Sequence, residues 1–251
     1  MKEIIKSEGK CPFCEKTFAK VGINRHLATH LADKTTVGVT GKSFFVKVET
    51  NKKWGSTPYF LSLWIDGEAK MKDLDGFLRS IWLECCGHLS SFTDPTKKRK
   101  RSGMDFLISL IDSEEEFPDE ISMSRKVKDV LHKELILEYE YDFGSTTALN
   151  ITVIDEYPVK ADKKIVLLSR NEPLKIICSI CGKAPANQIC TVCMYDGKAE
   201  FCNKCAKKHE KKCNDFANYA SMPVVNSPRM GVCGYNGGSI DKERDGIYKM
   251  L

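Results

Sequence analysis

The chain has 251 residues, 42% of them hydrophobic and 29% charged, with a formal net charge of +5. Such a composition excludes a collagen, a mucin-like stalk and a chain disordered throughout, and the mild positive balance does not by itself argue for nucleic acid. No run of about 18 apolar residues occurs, so no transmembrane helix is expected, and the opening MKEIIKSEGK lacks the apolar core of a secretory signal. The abnormal number is the 12 cysteines. Without a signal the expected compartment is the reducing cytoplasm, where such spacings serve metals rather than disulfides.

The first element is a small module over residues 1–35. Cys11 and Cys14 form a CxxC, His26 follows after eleven residues, and His30 comes four positions further on. Two thiolates on a tight turn and two imidazoles one helical turn apart close a tetrahedron around zinc. Phe18 and Ile23 supply the minimal apolar core that a metal-dependent unit of this size requires. Residues 9–32 resemble the two-Cys, two-His zinc finger family, with a Cys-to-His gap one residue shorter than the usual twelve. The resemblance implies a ββα finger whose base-facing positions fall near Ala19, Gly22 and Arg25. Of these, only Arg25 could make a bidentate base contact. A single finger spans about 3 bp, so a structural or protein-contact role is expected at least as much as DNA reading.

Residues 40–172 read as a conventional α+β domain. Phe44, Val46 and Val48 alternate with polar residues, as do Tyr59, Leu61, Leu63 and Ile65, giving two strands. Asp66-Gly67 marks a turn. Leu74, Phe77, Leu78, Ile81 and Trp82 recur at helical spacing. Residues 123–131 read as a second, shorter helix. Leu135, Leu137, Tyr139, Tyr141 and Phe143 line one face of a long strand, Gly144-Ser145 turns it, and Leu149, Ile151 and Val153 return. Residues 165–168 form a last strand. The expected fold is an antiparallel sheet with helices on one face, flanked by the finger and a C-terminal metal module.

The segment from Cys86 through His88-Leu89 to Phe92, with Tyr141-Asp142-Phe143-Gly144, resembles the plasmid-Ri open-reading-frame-three-like family. That family is also carried by insertion elements under a TnpR-type name. Ser145 stands where the family usually has Asp, and Thr146-Thr147 where it has Trp. The resemblance implies a compact α+β domain in a mobile-element context and no established catalytic activity.

Within this domain several groups could carry chemistry. Cys85, Cys86 and His88, with the distant Cys233, are a candidate further metal site. The plainer expectation for these cysteines is burial as small hydrophobes. A Cys–His nucleophile would need an orienting group and an oxyanion site, and the sequence identifies neither. Glu138, Glu140 and Asp142 read as the solvent face of a half-buried strand, and His132 as a helix cap. Lys97, Lys98, Arg99, Lys100 and Arg101 form a basic run, read as a solvated loop or, alternatively, a phosphate contact; the acidic stretch 112–116 could neutralise it.

The second metal signal lies in residues 175–215. Cys178/Cys181, Cys190/Cys193 and Cys202/Cys205 are three CxxC pairs, completed by His209 and Cys213 at helical spacing. Four pairs make two tetrahedral sites. A cross-brace joins Cys178, Cys181, Cys202 and Cys205 in one site and Cys190, Cys193, His209 and Cys213 in the other; a sequential pairing is the alternative. The order resembles MYND and HIT-type zinc fingers, which implies protein contacts. Lys183, Lys198, Lys204, Lys207, Lys208, Lys211 and Lys212 surround the ligands, to offset thiolate charge and donate to sulfur, or to meet phosphates. Residues 216–251 are read as an irregular tail packing back on the body.

Three zinc ions per chain are therefore expected. The leading reading is a non-enzymatic zinc-binding interaction or scaffold protein with a protein partner, no membrane and no identified small-molecule substrate. Nucleic-acid binding through Arg25, the 97–101 run and the lysines around His209 is the first alternative. An enzyme using His88 and the nearby cysteines is the second.

Overall fold

The computed structural model describes residues 7–36, 38–51, 58–97 and 120–245. Its centre is a six-stranded antiparallel sheet in the order β5-β6-β7-β3-β4-β8. The strands are β3 (Thr40–Thr50), β4 (Phe60–Asp66), β5 (Ser90–Thr93), β6 (Ile136–Tyr141), β7 (Thr147–Val159) and β8 (Ile165–Arg170). The pairing Phe44↔Ile65, Val46↔Leu63 and Val48↔Leu61 puts one parity of β3 and β4 on a single face. That face packs against helix α2 (Met71–Leu78), which buries Met71, Leu74 and Leu78 at helical spacing. The fold is mixed α+β, as the patterning implies.

The other parity of the same strands is apolar too. Phe45, Phe60 and Trp64 lie on the second face of the sheet, which is covered by the N-terminal unit. That unit is a hairpin, β1 (Glu8–Lys10) with β2 (Thr17–Ala19), followed by helix α1 (Lys20–Lys34). Ile23, Leu27 and Leu31 fall on one stripe of α1 and pack onto Phe45, Phe60, Trp64 and Leu168. Burying three such side chains is worth about 5–9 kcal/mol as an upper figure, comparable with the net stability of a whole domain. Asn24 and Ser62 seal the contact with a 2.6 Å hydrogen bond between their side chains, and Lys20 reaches Glu49 at 2.9 Å.

Two local expectations are corrected. Over 123–131 only Val127–Asp129 is helical, as a single 3₁₀ turn. The backbone there is committed elsewhere: Met71 and Lys72 N–H donate to the Arg125 and Met123 carbonyls, and Val127 and Lys128 N–H to Ala69 and Gly67, all within 2.7–3.0 Å. Those bonds leave no helical ladder to form. Nor does β6 carry Phe143: the strand stops at Tyr141, because Asp142 turns into the left-handed region at φ 64° and leaves Phe143 exposed.

After α2 the chain widens into a π-helical turn, Arg79–Leu83, that buries three consecutive residues, Ile81, Trp82 and Leu83. The C-terminal tail supplies partners to carbonyls of this turn: Ser227 Oγ donates to Trp82 O at 2.7 Å and Ser239 N–H to Ser80 O at 2.7 Å. Before reaching it, the chain builds a three-stranded sheet from β9 (Gln188–Cys190), β10 (Glu200–Phe201) and β11 (Ser221–Pro223), in the spatial order β10-β9-β11. Helix α3 is Asn203–Glu210, and helix α4 is Lys242–Asp245. Residues 216–223 therefore extend the C-terminal module with a π-helical turn and a strand, where irregular chain was expected. Arg170, fully buried, ties the tail down by donating to Asn226 O at 2.6 Å and facing Asp245 and Asp241. Among the described residues no helix is long and apolar enough to cross a membrane.

Candidate metal centres

Four groups of Cys and His bring their ligand atoms within 4.8 Å of one another. In a tetrahedron with Zn–S bonds of about 2.3 Å, two sulfurs sit about 3.8 Å apart and a sulfur and an imidazole nitrogen about 3.6 Å apart. All 12 cysteines are free thiols.

The first group is Cys11, Cys14, His26 and His30. Glu15 N–H closes the knuckle onto Cys11 O at 2.9 Å, with Glu15 at φ 61°. The two imidazoles stand one turn apart on α1, and His26 Nε2 lies 3.1 Å from Cys14 Sγ and 3.2 Å from His30 Nε2. Phe18 stacks on His26 with centroids 4.1 Å apart, and Phe13 sits 4.9 Å from His30, so both rings are held in place. Burial pushes the Cys11 thiol up, partly offset by the amides of Phe13 and Cys14. Ala19, at the end of β2, and Gly22 and Arg25, on α1, are all exposed.

The C-terminal cysteines divide as a cross-brace, with Cys178, Cys181, Cys202 and Cys205 in one group and Cys190, Cys193, His209 and Cys213 in the other. The knuckle of the first group turns at Gly182, φ 62°, whose N–H donates to Cys178 O at 2.9 Å. Cys181 Sγ and Cys202 Sγ are 4.0 Å apart. In the second group Cys193 Sγ lies 3.6 Å from His209 Nε2, and His209 stacks on Phe201 at 4.3 Å with Phe216 at its edge.

The thiols here are electrostatically divided. Burial alone would raise Cys178, yet the amides of Cys181, Cys202 and Ile180 outweigh it and hold the thiol at about 6. Cys205 and Cys193 are pushed up to about 12, first by burial and then by the neighbouring thiols of their own groups. Four thiols packed this closely cannot all ionise against one another, and a dication in their midst reverses that balance. The sulfur donors identified here are backbone amides. The expected lysines instead keep their side chains in solvent, all seven being exposed.

The fourth group is Cys85, Cys86, His88 and Cys233. The expectation of buried small hydrophobes fails, because Cys86 and Cys233 are exposed and Cys85 is half-buried. His132, read as a helix cap, has no helix to cap; its ring lies 3.1 Å from Lys133 O at the surface. Of the three carboxylates read as a solvent face, Glu140 is exposed and Glu138 half-buried, whereas Asp142 is buried and paired with Arg229 at 2.6 Å. Arg229 was not legible as a site residue; an arginine flanking the apolar run 230–235 is the signal that it has a buried acceptor. Lys97 pairs with Asp94 at 3.2 Å, while Lys98, Arg99, Lys100 and Arg101, like the acidic stretch 112–116, lie outside the described residues.

No family model matches the chain, and no curated protein matches it. Among solved structures, the crystal structure of a protein of unknown function from Methanosarcina mazei Go1 is similar over 52% of this chain and 68% of that one, with a TM-score of 0.36 and 16% sequence identity.

Proposed function

We propose that this chain is a zinc-binding, non-enzymatic interaction or scaffold protein of the cytoplasm, in which the ions shape surfaces that a protein partner reads. The observation that carries the reading is the completeness of the donor sets. The finger and the two cross-braced groups each offer four protein ligands within 4.8 Å of one another, and a zinc held by all four keeps no open position for a substrate or an activated water. Thiolate-rich sets favour zinc over the harder divalent ions. A second observation is compatible with protein contact: Ile177, Ile180, Val192, Tyr195 and Tyr219 are all exposed on the C-terminal module, apolar side chains available to a partner. Within this reading the module is MYND- or HIT-like, and the central domain belongs with the plasmid-Ri open-reading-frame-three-like proteins of mobile elements.

Nucleic-acid binding is the second reading, favoured by five exposed lysines on and just after α3: Lys204, Lys207, Lys208, Lys211 and Lys212. Among the described residues none of them enters an ion pair.

Metal content by native mass spectrometry, on protein purified without added metal, tests the first reading. At least three zinc ions per chain are expected, and fewer than three would overturn it. Titration with random duplex and single-stranded DNA at low salt separates the two. No binding is expected; binding that weakens with salt at a slope of about −0.9 per phosphate contact would install the second reading.

A further inference from the structure

We propose that Cys85, Cys86, His88 and Cys233 form a fourth zinc site, which staples the C-terminal tail to the end of the central sheet. The four donor atoms lie within 4.8 Å of one another, close enough to share one ion, and their sulfur–sulfur spacing is that of a tetrahedral site. Cys85 Sγ to Cys86 Sγ and Cys86 Sγ to Cys233 Sγ are each 3.7 Å, against the roughly 3.8 Å edge of a zinc tetrahedron and the ~2.05 Å of a disulfide. His88 Nε2 points into the same space, 2.9 Å from Cys86 Sγ and 3.2 Å from Cys233 Sγ. The donors come from both ends of a 145-residue separation between His88 and Cys233. Cys233 is held at φ 47°, an unusual backbone for a residue with a side chain, between Gly231 and Gly234, both at positive φ.

What surrounds the four donors matches a metal site independently. The other ring nitrogen of His88, Nδ1, faces Asp142 Oδ1 at 3.5 Å, so a carboxylate stands on the outer side of the ring, where one orients a ligating imidazole. Arg229 Nη2 lies 2.6 Å from Asp142 Oδ2 and 3.5 Å from Cys85 Sγ. Three thiolates, a neutral imidazole and a zinc ion sum to −1; Arg229, shared between Asp142 and Cys85 Sγ, offsets the Asp142 charge and donates to one of the ligand sulfurs. Neither alternative role explains the group. Exposure of Cys86 and Cys233 removes the packing explanation, and the lack of any sulfur pair at bonding distance removes the disulfide. Unlike the other three sites, this one lies at the surface and joins segments from two parts of the chain. It is therefore the zinc a chelator reaches first.

This inference is independent of the function proposed above, which needs only the other three groups. The full chain should carry four zinc ions by native mass spectrometry, and the double substitution Cys86→Ser with Cys233→Ser should carry three. In the unsubstituted protein, iodoacetamide followed by peptide mapping should leave Cys86 and Cys233 unmodified until a chelator removes the metal; this arm decides the matter even if the variant does not fold. Immediate alkylation of both in the untreated protein would overturn the site. So would an unchanged zinc count in the double variant, or a Cys86–Cys233 disulfide among the peptides. Protection of these two cysteines in a chain holding fewer than three zinc ions would uphold the fourth site and overturn the reading of the other three.

Discussion

Arg229 and Asp142, 87 positions apart, meet at 2.6 Å in a pair that excludes solvent from the guanidinium entirely. The same guanidinium donates to Thr147 Oγ1 at 3.0 Å and Ser145 O at 3.1 Å, so one tail side chain fixes the whole β6–β7 connection. Arg229 holds the Asp142 carboxyl well below its ordinary value, at about 2, with the amides of Ser145 and Gly144 helping. Replacing Arg229 by Met leaves the carboxylate without its cation in a closed position, which costs more than the pair contributes. The expected result is a lowered denaturant midpoint and faster proteolysis of the tail, with Arg229→Met/Asp142→Asn recovering part of the midpoint. Equal midpoints for the single and double variants would refute the coupling.

The finger should behave as part of the core. Leu27→Ala removes a fully buried side chain between α1 and the sheet and is expected to cost about 2–5 kcal/mol, read from chemical denaturation of the full chain. Removing the first metal site with Cys11→Ser/Cys14→Ser should expose Phe45, Phe60 and Trp64 as well as the finger. Enhanced fluorescence of an apolar-surface dye reports that exposure. An unchanged dye signal would mean that the finger folds on the sheet without its metal.

The ion pair that helps dock the finger carries a pH signature. Burial by itself would raise the Glu49 carboxyl, but the hydrogen bonds from Lys47 and Lys20 outweigh it, leaving the folded-state value depressed. A depressed carboxylate contributes fully above its unfolded pKa of about 4.3 and loses that contribution as pH falls through the folded value. Glu49→Gln should therefore lower the denaturant midpoint at neutral pH, with the gap to the natural chain closing on acidification. A gap that persists at acid pH would show that the carboxylate charge plays no part in docking.

Stacking on His209 should govern how firmly the second cross-braced group holds its ion. Phe201→Leu keeps an apolar filler but removes the ring 4.3 Å from the imidazole. We expect a chelator to remove one zinc from this variant faster than from the natural chain, while the Cys178 group is unchanged. Colorimetric chelation kinetics measure both phases.

The finger, the main strands and the C-terminal pairing options were readable because their signals are local: ligand spacing, and period-two alternation in β3, β4 and β7. What escaped was long-range. Phe45, Phe60 and Trp64 already occupied the supposedly polar parity of their strands, yet nothing in the pattern said that a helix about 15 to 40 residues earlier would cover them. The short helix expected over 123–131 lost to pairing with the segment before α2, a competition between backbone partners that periodicity does not register. Phe143 fits the alternation perfectly and still faces water, since Asp142 leaves the strand to reach Arg229. The group Cys85, Cys86, His88 and Cys233 was nameable from the sequence, but only the folded tail brings Cys233 within reach of the other three.

The position of α1 across the sheet also sets a timetable for synthesis. Ile23, Leu27 and Leu31 must wait for β8, whose Leu168 completes the surface they rest on. That is roughly 140 residues later, or about 7–30 s at ordinary translation speeds of about 5–20 residues per second. Throughout that interval the apolar stripe of the nascent chain lacks its complete cover, although Phe45, Phe60 and Trp64 emerge early. Early zinc capture would keep this stripe on a short ordered helix while the rest of the chain emerges, so zinc supply during translation should affect the yield of native protein.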